Sequence, residues 1–243
     1  MTVDLFVPCF IDQLYPETGF NVVKILEKLD IKVEYNPSQT CCGQPSYNTG
    51  YWKETRAVAQ KFMKDFSGDR LIVCPSGSCA GFIRNSYPEL FKDTELANEA
   101  ARIAGNIIEL TDLLVNKLNV TDPGSEFIAK ITYHDSCAAL REYGIKDEPR
   151  ILLSNVKGLE IIEMKDSDAC CGFGGTFSVK NEPISTAMVE QKVMNAMDTG
   201  AEYIVSTEAS CLMNIEGYIK KHNLPIKTIH IADILASGLP DTH

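Results

Sequence analysis

Cysteines are the side chains best suited to chemistry in this 243-residue sequence, which contains nine of them. Eight form two sets of nearly identical spacing, C-x31-CC-x36-C and C-x32-CC-x39-C: Cys9, Cys41, Cys42 and Cys79, then Cys137, Cys170, Cys171 and Cys211. Disulfide scaffolds are typical of short secreted chains with an even cysteine count, whereas this chain is long and its count is odd. The pattern therefore favours metal ligands or redox groups.

Four thiolates in each set suit either a structural zinc site or an iron–sulfur cluster. Structural zinc sites mostly use tight C-x2–4-C knuckles, whereas each set here is spread over about 70 residues. An adjacent cysteine pair suits a bulkier cluster. The glycine that follows each pair, Gly43 or Gly172, lets backbone N–H groups approach the sulfur atoms. We therefore predict iron–sulfur centres, with zinc and redox-active thiols as alternatives.

The two cysteine sets belong to a longer internal repeat. RLIVCPSGSC in the first half aligns with EYIVSTEASC in the second, which places the ninth cysteine, Cys74, opposite Ser206. NIIELTDLL aligns in the same way with KTIHIADIL, and the loop at 119–126 has the Asp-Pro-Gly chemistry of a turn. The repeat predicts two domains, residues 1–122 and 127–243.

Strand-like and helix-like runs alternate in each half. The strand candidates are DLFVP, IKVEY, RLIV and NIIEL, then AKITYH, LEIIEM, EYIVS and IKTIHI, and the segments between them include runs with helical apolar spacing. This alternation predicts an α/β fold of two pseudo-symmetric halves, each with a mainly parallel sheet flanked by helices. The cysteines follow the strands or fall in the loops after them, where α/β sheets bind ligands. Four thiols per half are expected to converge there.

Composition limits the classes of partner. The chain is 44% hydrophobic and 23% charged, which is typical of a globular protein, and its net charge of −10 argues against nucleic acid and anionic membrane surfaces. No run reaches the roughly 18 apolar residues of a membrane helix, and no basic residue precedes Lys24 as a secretion signal would require. We predict a cytoplasmic protein without direct membrane insertion.

Five stretches resemble the cysteine-rich CCG-domain proteins, and most closely the lactate utilization protein A group: QTCCGQPSYNTGY, PSGSC, YHDSCAALRE, DACCGFGGTFSVK and ASCLMN. The resemblance implies an iron–sulfur electron-transfer subunit of bacterial L-lactate oxidation. It also implies a larger ferredoxin-like iron–sulfur partner and a third small subunit. The first cysteine set would then hold one cluster and the second set another.

The sequence departs from the fullest CCG pattern, which ends each repeat in CxxC and, in heterodisulfide reductase, holds a noncubane cluster. Ser76 and Glu208 occupy the positions of the extra cysteines. A conventional four-thiolate [4Fe–4S] cluster is therefore expected, in one half or in both. Two other functions stay open: a heterodisulfide-reductase-like subunit that handles a thiol or disulfide substrate, and a zinc-binding structural module.

Several other residues near the cysteines have two interpretations each. His134 is either a donor to a cluster sulfur or a packed histidine at a strand end. Glu208 is either a carboxylate ligand or a solvated or helix-capping residue, and Cys74 either a buried spectator or a spare ligand. Arg141 either neutralises cluster charge or forms an ordinary salt bridge.

Overall fold

The computed structural model describes residues 1–240 and contains two four-stranded sheets. In the first sheet, β1 (Thr2–Leu5), β2 (Lys32–Tyr35), β3 (Ile72–Cys74) and β4 (Ile107–Glu109) lie in the order β2-β1-β3-β4. In the second, β5 (Glu126–Tyr133), β6 (Lys157–Ile161), β7 (Tyr203–Ser206) and β8 (Lys227–His230) lie in the order β6-β5-β7-β8. Every strand pair is parallel. The predicted α/β class and its duplication are thus confirmed.

Helices connect the parallel strands, as crossover connections require. The first half contains α1 (Cys9–Leu14), α2 (Pro16–Lys28), α3 (Gln44–Asn48), α4 (Trp52–Asp65), α5 (Gly77–Phe91), α6 (Ala97–Asn106), α7 (Leu110–Asp112) and a π-helical turn at Leu113–Lys117. The second half contains a π-helical turn at Ala139–Tyr143, followed by α8 (Glu148–Ser154), α9 (Phe177–Lys180), α10 (Glu182–Met197), α11 (Ala209–His222) and α12 (Ile231–Ala236). No helix within residues 1–240 is long and apolar enough to cross a membrane.

The repeat extends to the buried faces of α4 and α10. Both helices bury residues at the same spacing, Thr55, Ala59, Phe62 and Met63 in α4 and Ser185, Val189, Lys192 and Val193 in α10. A Cβ atom added to Gly43 would meet Thr55 and Val58, and one added to Gly172 would meet Ser185 and Met188. This register makes Phe62 and Lys192 equivalent positions of the two halves.

The two halves pack against each other through one shared hydrophobic core. Side chains of β1 and α2 join those of β5 and α12 in a single buried cluster. Thr18 and Asn21 of α2 donate hydrogen bonds to the Asp233 carboxylate of α12, at 3.0 and 2.9 Å. At Gly77 the backbones approach so closely that a Cβ atom would lie 2.4 Å from that of Ala139. This contact brings the cysteine-bearing segments of the two halves together.

Two cysteines expected in loops lie instead in the first turns of helices, Cys79 in α5 and Cys211 in α11. The Ser76 side chain begins α5 by accepting a 3.3 Å hydrogen bond from the Cys79 N–H group. The sequence does not predict this helix, because its Ser-Gly-Ser start and the internal Pro88 both lower helix propensity. The domain boundary between residues 122 and 127 stays a prediction.

Candidate metal centres

The first-half site, Cys9, Cys41, Cys42 and Cys79, is assembled from three segments. Cys9 begins α1 just after β1, the adjacent pair precedes α3, and Cys79 comes from α5. The Sγ atoms form two close pairs, Cys9 with Cys41 at 3.8 Å and Cys42 with Cys79 at 3.5 Å. The Gly43 N–H group donates to Cys41 Sγ at 3.3 Å, and the Tyr87 hydroxyl holds the Cys42 carbonyl at 2.8 Å.

The second-half site, Cys137, Cys170, Cys171 and Cys211, repeats this arrangement. The Gly172 N–H group donates to Cys170 Sγ at 3.4 Å, as Gly43 does to Cys41. The Cys171 carbonyl accepts a 2.9 Å hydrogen bond from the Asn214 amide. Gly172 has a φ of +85°, and a Cβ atom there would lie 2.6 Å from the Ser185 carbonyl oxygen. Glycine is therefore required at this turn on both conformational and steric grounds.

The ionisation of the thiols follows a similar pattern in both halves, with one further shift in the second. Hydrogen bonds from Cys42 and Cys9 lower the pKa of the Cys41 thiol to about 3, and hydrogen bonds from Cys137 and Cys171 lower that of Cys170 to about 2. Hydrogen bonding to these thiolates raises the pKa of Cys9 and of Cys137. In the second half, a hydrogen bond from Cys171 also lowers the pKa of the Cys211 thiol, to about 5. At least one thiolate in each site is thus stabilised by its neighbours, and thiolate is the form that binds metals.

Both sites open onto one cavity between the halves. All eight cysteines line it, together with Gln44, Asn48, Ser76 and Glu208. The convergence expected within each half is therefore observed, and the two halves also converge on each other. The sequence did not predict this second convergence, because it depends on how the two sheets dock.

Glu208 joins the two sites across the cavity. Its carboxylate accepts hydrogen bonds from Ser76 Oγ at 3.1 Å, from the Ser78 N–H group at 2.9 Å and from Ser210 Oγ at 3.2 Å. Burial raises the pKa of Glu208 to about 7. The two positions at which the fullest CCG pattern has its extra cysteines are thus in direct contact, and the Glu208 oxygens bind groups of the opposite half.

The other three residues singled out in the sequence, Cys74, Arg141 and His134, differ in how close they lie to the cysteine sites. The buried Cys74 thiol donates to the Ser76 carbonyl at 3.5 Å and packs in the apolar core of the first half. Arg141 donates to the Asp168 carbonyl at 3.5 Å, just before the second cysteine pair. His134 is fully buried, and one of its ring nitrogens lies within 4.8 Å of both the Cys171 and Cys211 sulfur atoms.

The donor sets fit a soft metal centre. Two thiolates bound to one tetrahedral metal ion at about 2.3 Å lie roughly 3.8 Å apart. The two sulfur pairs of the first-half site have this separation. Soft thiolate ligands select iron–sulfur clusters or zinc. The backbone N–H groups of Gly43 and Gly172 additionally supply the hydrogen bonds to sulfur that tune such centres.

Comparison with known proteins agrees with this arrangement. A protein-family model described as a cysteine-rich domain, CCG, matches residues 3–84 and again residues 131–216. The chain belongs to the cysteine-rich CCG-domain family. It is 44% identical over 236 residues to lactate utilization protein A of Geobacillus kaustophilus, covering 97% of this chain and 98% of that protein. It is 42% identical to lactate utilization protein A 2 of Bacillus cereus strain AH820, covering 98% and 99%. The resemblance found in the sequence is confirmed.

Among solved structures, a hypothetical protein from Helicobacter pylori matches this CCG-family chain with a TM-score of 0.59. The match covers all of this chain and 49% of that one. At 14% identity it shows the fold alone.

Lys192 is a residue of the site region that the sequence analysis missed. It is buried to 2% exposure, and its ammonium group donates to the carbonyl oxygens of Asp166 and Ser167 at 2.6 and 3.0 Å. Burial lowers its pKa, and the charge of Cys171 opposes that shift. The signal that could have found it is the internal repeat of this CCG-family chain, which places this lysine of α10 opposite the buried Phe62 of α4.

Proposed function

We propose that this chain is an iron–sulfur electron-transfer subunit of a complex that oxidises L-lactate or a related 2-hydroxy acid. The observation that carries the proposal is the presence of two sets of four thiols at one cavity. Relatives that match nearly the whole chain are named for lactate utilization, which supports the choice of pathway.

Within this proposal, each half of the chain holds one centre through its four cysteines. Iron–sulfur clusters take up and release single electrons, and the [4Fe–4S] form is our prediction for both. The protein supplies thiolates that are already stabilised by their neighbours, backbone N–H groups directed at sulfur, and a buried setting. Its contribution is to bind the centres and to tune them.

The proposed partners are a larger ferredoxin-like iron–sulfur subunit and a third small subunit. Electrons from 2-hydroxy acid oxidation would pass between these proteins and this one in the cytoplasm. The net charge of −10 supports a protein partner with a basic surface and opposes nucleic acid. Direct membrane insertion is not part of the proposal.

Zinc is the second candidate, because a single tetrahedral ion would account for the sulfur–sulfur distances of 3.8 and 3.5 Å in the first-half site. In that case the chain would be a structural module. A heterodisulfide-reductase-like reaction is less well supported, since Ser76 and Glu208 bind each other where a fifth thiolate would be needed in each half.

The experiment that tests the proposal is metal analysis of the strictly anaerobically purified full chain, with an EPR spectrum after reduction. We expect about four iron and four sulfide per centre and a reducible EPR signal. Stoichiometric zinc in a colourless protein without a redox signal would refute the proposal. Lactate-dependent growth of a strain that carries only a cysteine-deficient chain tests the pathway, and unchanged growth would contradict the assignment to lactate oxidation.

A further inference from the structure

The two sites have the same set of four cysteines but differ in the residues packed beside them. The residue three positions before the first cysteine is Phe6 in one half and His134 in the other. The equivalent buried positions of α4 and α10 are Phe62 and Lys192. At both positions the first half has a phenylalanine, and the second half has a side chain that contains nitrogen.

On the side of Phe6 and Phe62, the first-half site packs against apolar rings. Phe6 and Phe62 are completely buried, with their rings in edge-to-face contact at 4.9 Å, and both belong to the same hydrophobic cluster as Cys42. Phe66 adds a third ring, 4.6 Å from that of Phe62. These side chains offer the sulfur atoms no N–H or O–H donor and no charge.

His134 gives the second-half site a donor that has no other use. The imidazole is fully buried, and neither ring nitrogen has a hydrogen-bond partner within residues 1–240. Leaving such a group unpaired is costly, so its closeness to the Cys171 and Cys211 sulfur atoms points to a ligand there. A neutral imidazole carries one N–H group, which is sufficient to donate to sulfur.

Lys192 adds a buried positive charge next to the segment that leads to the second cysteine pair. Its ammonium group is held by the Asp166 and Ser167 carbonyl oxygens, in the segment that leads to the second cysteine pair. Asn195 of the same helix donates to the Lys165 carbonyl at 2.9 Å and fixes this segment further. The charge is therefore held in place, and it interacts with Cys171 in a setting that water screens little.

Each electron added to an iron–sulfur centre increases its negative charge. Hydrogen bonds to sulfur and nearby positive charge stabilise the reduced state, whereas an apolar environment does not. We propose that the second-half centre has the higher reduction potential and that His134 and Lys192 are the residues that set this order. With both centres bound by their cysteines, an electron from a reduced first-half centre would pass to an oxidised second-half centre, so the transfer would need no external reactant. This inference rests on the proposed function.

The test is a redox titration of the anaerobic full chain followed by EPR. Cys42→Ala and Cys171→Ala variants assign each signal to a half, since each removes a ligand from one site. We expect the second-half signal to be reduced first in the unaltered chain. Lys192→Gln, which keeps hydrogen-bond donors but loses the charge, is expected to lower the second-half potential and leave the first-half potential unchanged. Lys220→Gln is the matched control, because Lys220 is exposed and pairs with Glu216.

A second readout covers His134 without relying on potential. In the unaltered chain labelled with ¹⁵N-histidine, pulsed EPR is expected to show a ¹⁵N coupling on the second-half signal. This coupling is expected to be absent in His134→Phe. It is also expected to be absent in His134→Gln, because the glutamine nitrogen is not labelled. His134→Gln retains an N–H donor, so it is expected to lower the reduction potential of the second-half centre less than His134→Phe does. If His134→Phe fails to fold, the labelled unaltered chain and Lys192→Gln still decide the question.

The outcomes separate the two proposals. Two centres of equal or reversed potential, or a Lys192→Gln shift shared by both centres, would overturn this inference and leave the proposed function intact. A single centre located in the first half would do the same. Protein without iron and sulfide would overturn both.

Discussion

In the first half, the cysteine site packs against the rings of Phe6 and Phe62, whereas the second-half site has His134 and Lys192 at the same positions. The features proposed to bind a metal are nevertheless the same in both: an adjacent cysteine pair, a glycine N–H group donating to its first sulfur, and a side chain that holds the carbonyl of its second cysteine. Duplication has thus kept the cysteine pattern and the backbone contacts around it, and has changed the side chains packed beside it.

The largest expected effect separates the two sites outright. Cys42→Ala and Cys171→Ala each remove one buried ligand, so each is expected to abolish one centre and about half of the bound iron while leaving the other centre. Cys74→Ala is the matched control, because Cys74 is buried in the core of the first half and bonds the Ser76 carbonyl. Iron and sulfide analysis with EPR measures the result, and full metal content in both variants would contradict the ligand assignment.

The second prediction compares the equivalent helix caps Glu109 and His230. Burial raises the pKa of Glu109 to about 8 and lowers that of His230 below its usual value. The folded state thus holds the Glu109 proton more tightly than the unfolded state, and stability falls as pH rises from about 4.5 to about 8. His230 acts in the opposite direction, since its contribution is lost as pH falls below about 6.5.

The loss of unfolding free energy that the Glu109 titration causes reaches roughly 5 kcal/mol above pH 8, and Glu109→Gln is expected to remove it. Urea denaturation of the purified protein from about pH 5 to about pH 8 measures it. Thr111 can still donate to the remaining carbonyl oxygen of the variant, as it does to Glu109 at 2.6 Å from its N–H group. An unchanged pH slope would show that Glu109 does not titrate in this range.

The third prediction compares the two glycines after the cysteine pairs. Both have positive φ, +93° at Gly43 and +85° at Gly172. An added Cβ atom would lie 3.4 Å from Val58 in the first case and 2.6 Å from the Ser185 carbonyl in the second. We expect Gly172→Ala to cost about 2 to 4 kcal/mol and Gly43→Ala about 1 to 2 kcal/mol of unfolding free energy. Equal costs would mean that the Ser185 backbone relaxes freely.

The smallest expected effect concerns the bonds that hold the cysteine carbonyls. Tyr87→Phe removes the hydrogen-bond donor of the Cys42 carbonyl, and the Tyr87 side chain is fully buried. Asn214→Ala removes the donor of the Cys171 carbonyl, and the Asn214 side chain is only half-buried. We expect losses of about 1 to 2 kcal/mol for Tyr87→Phe and about 1 kcal/mol or less for Asn214→Ala. Thermal denaturation compares the two, and a larger loss at Asn214 would contradict this order.

Much of the fold was accessible from the sequence because its signals are local. Strand-like runs separated by helical spacing predict a parallel α/β sheet, and each of the eight predicted strands is found. Helix α5 was missed, since Gly77 and Pro88 disfavour a helix in isolation while tertiary packing and the Ser76 cap stabilise it. Cys79 consequently lies in a helix and not in the loop expected for it, and Cys211 does so because α11 begins already at Ala209.

The sequence by itself determined which side chains are available: two sets of four cysteines, the glycines that follow them, and the duplication that assigns one set to each half. Only the tertiary structure decided that both sets share one cavity, that Ser76 meets Glu208, and that His134 and Lys192 adjoin the second site. The physical reason is distance along the chain. Spacing within a repeat constrains neighbouring strands and loops, whereas contacts between halves depend on how two complete sheets pack through their common core.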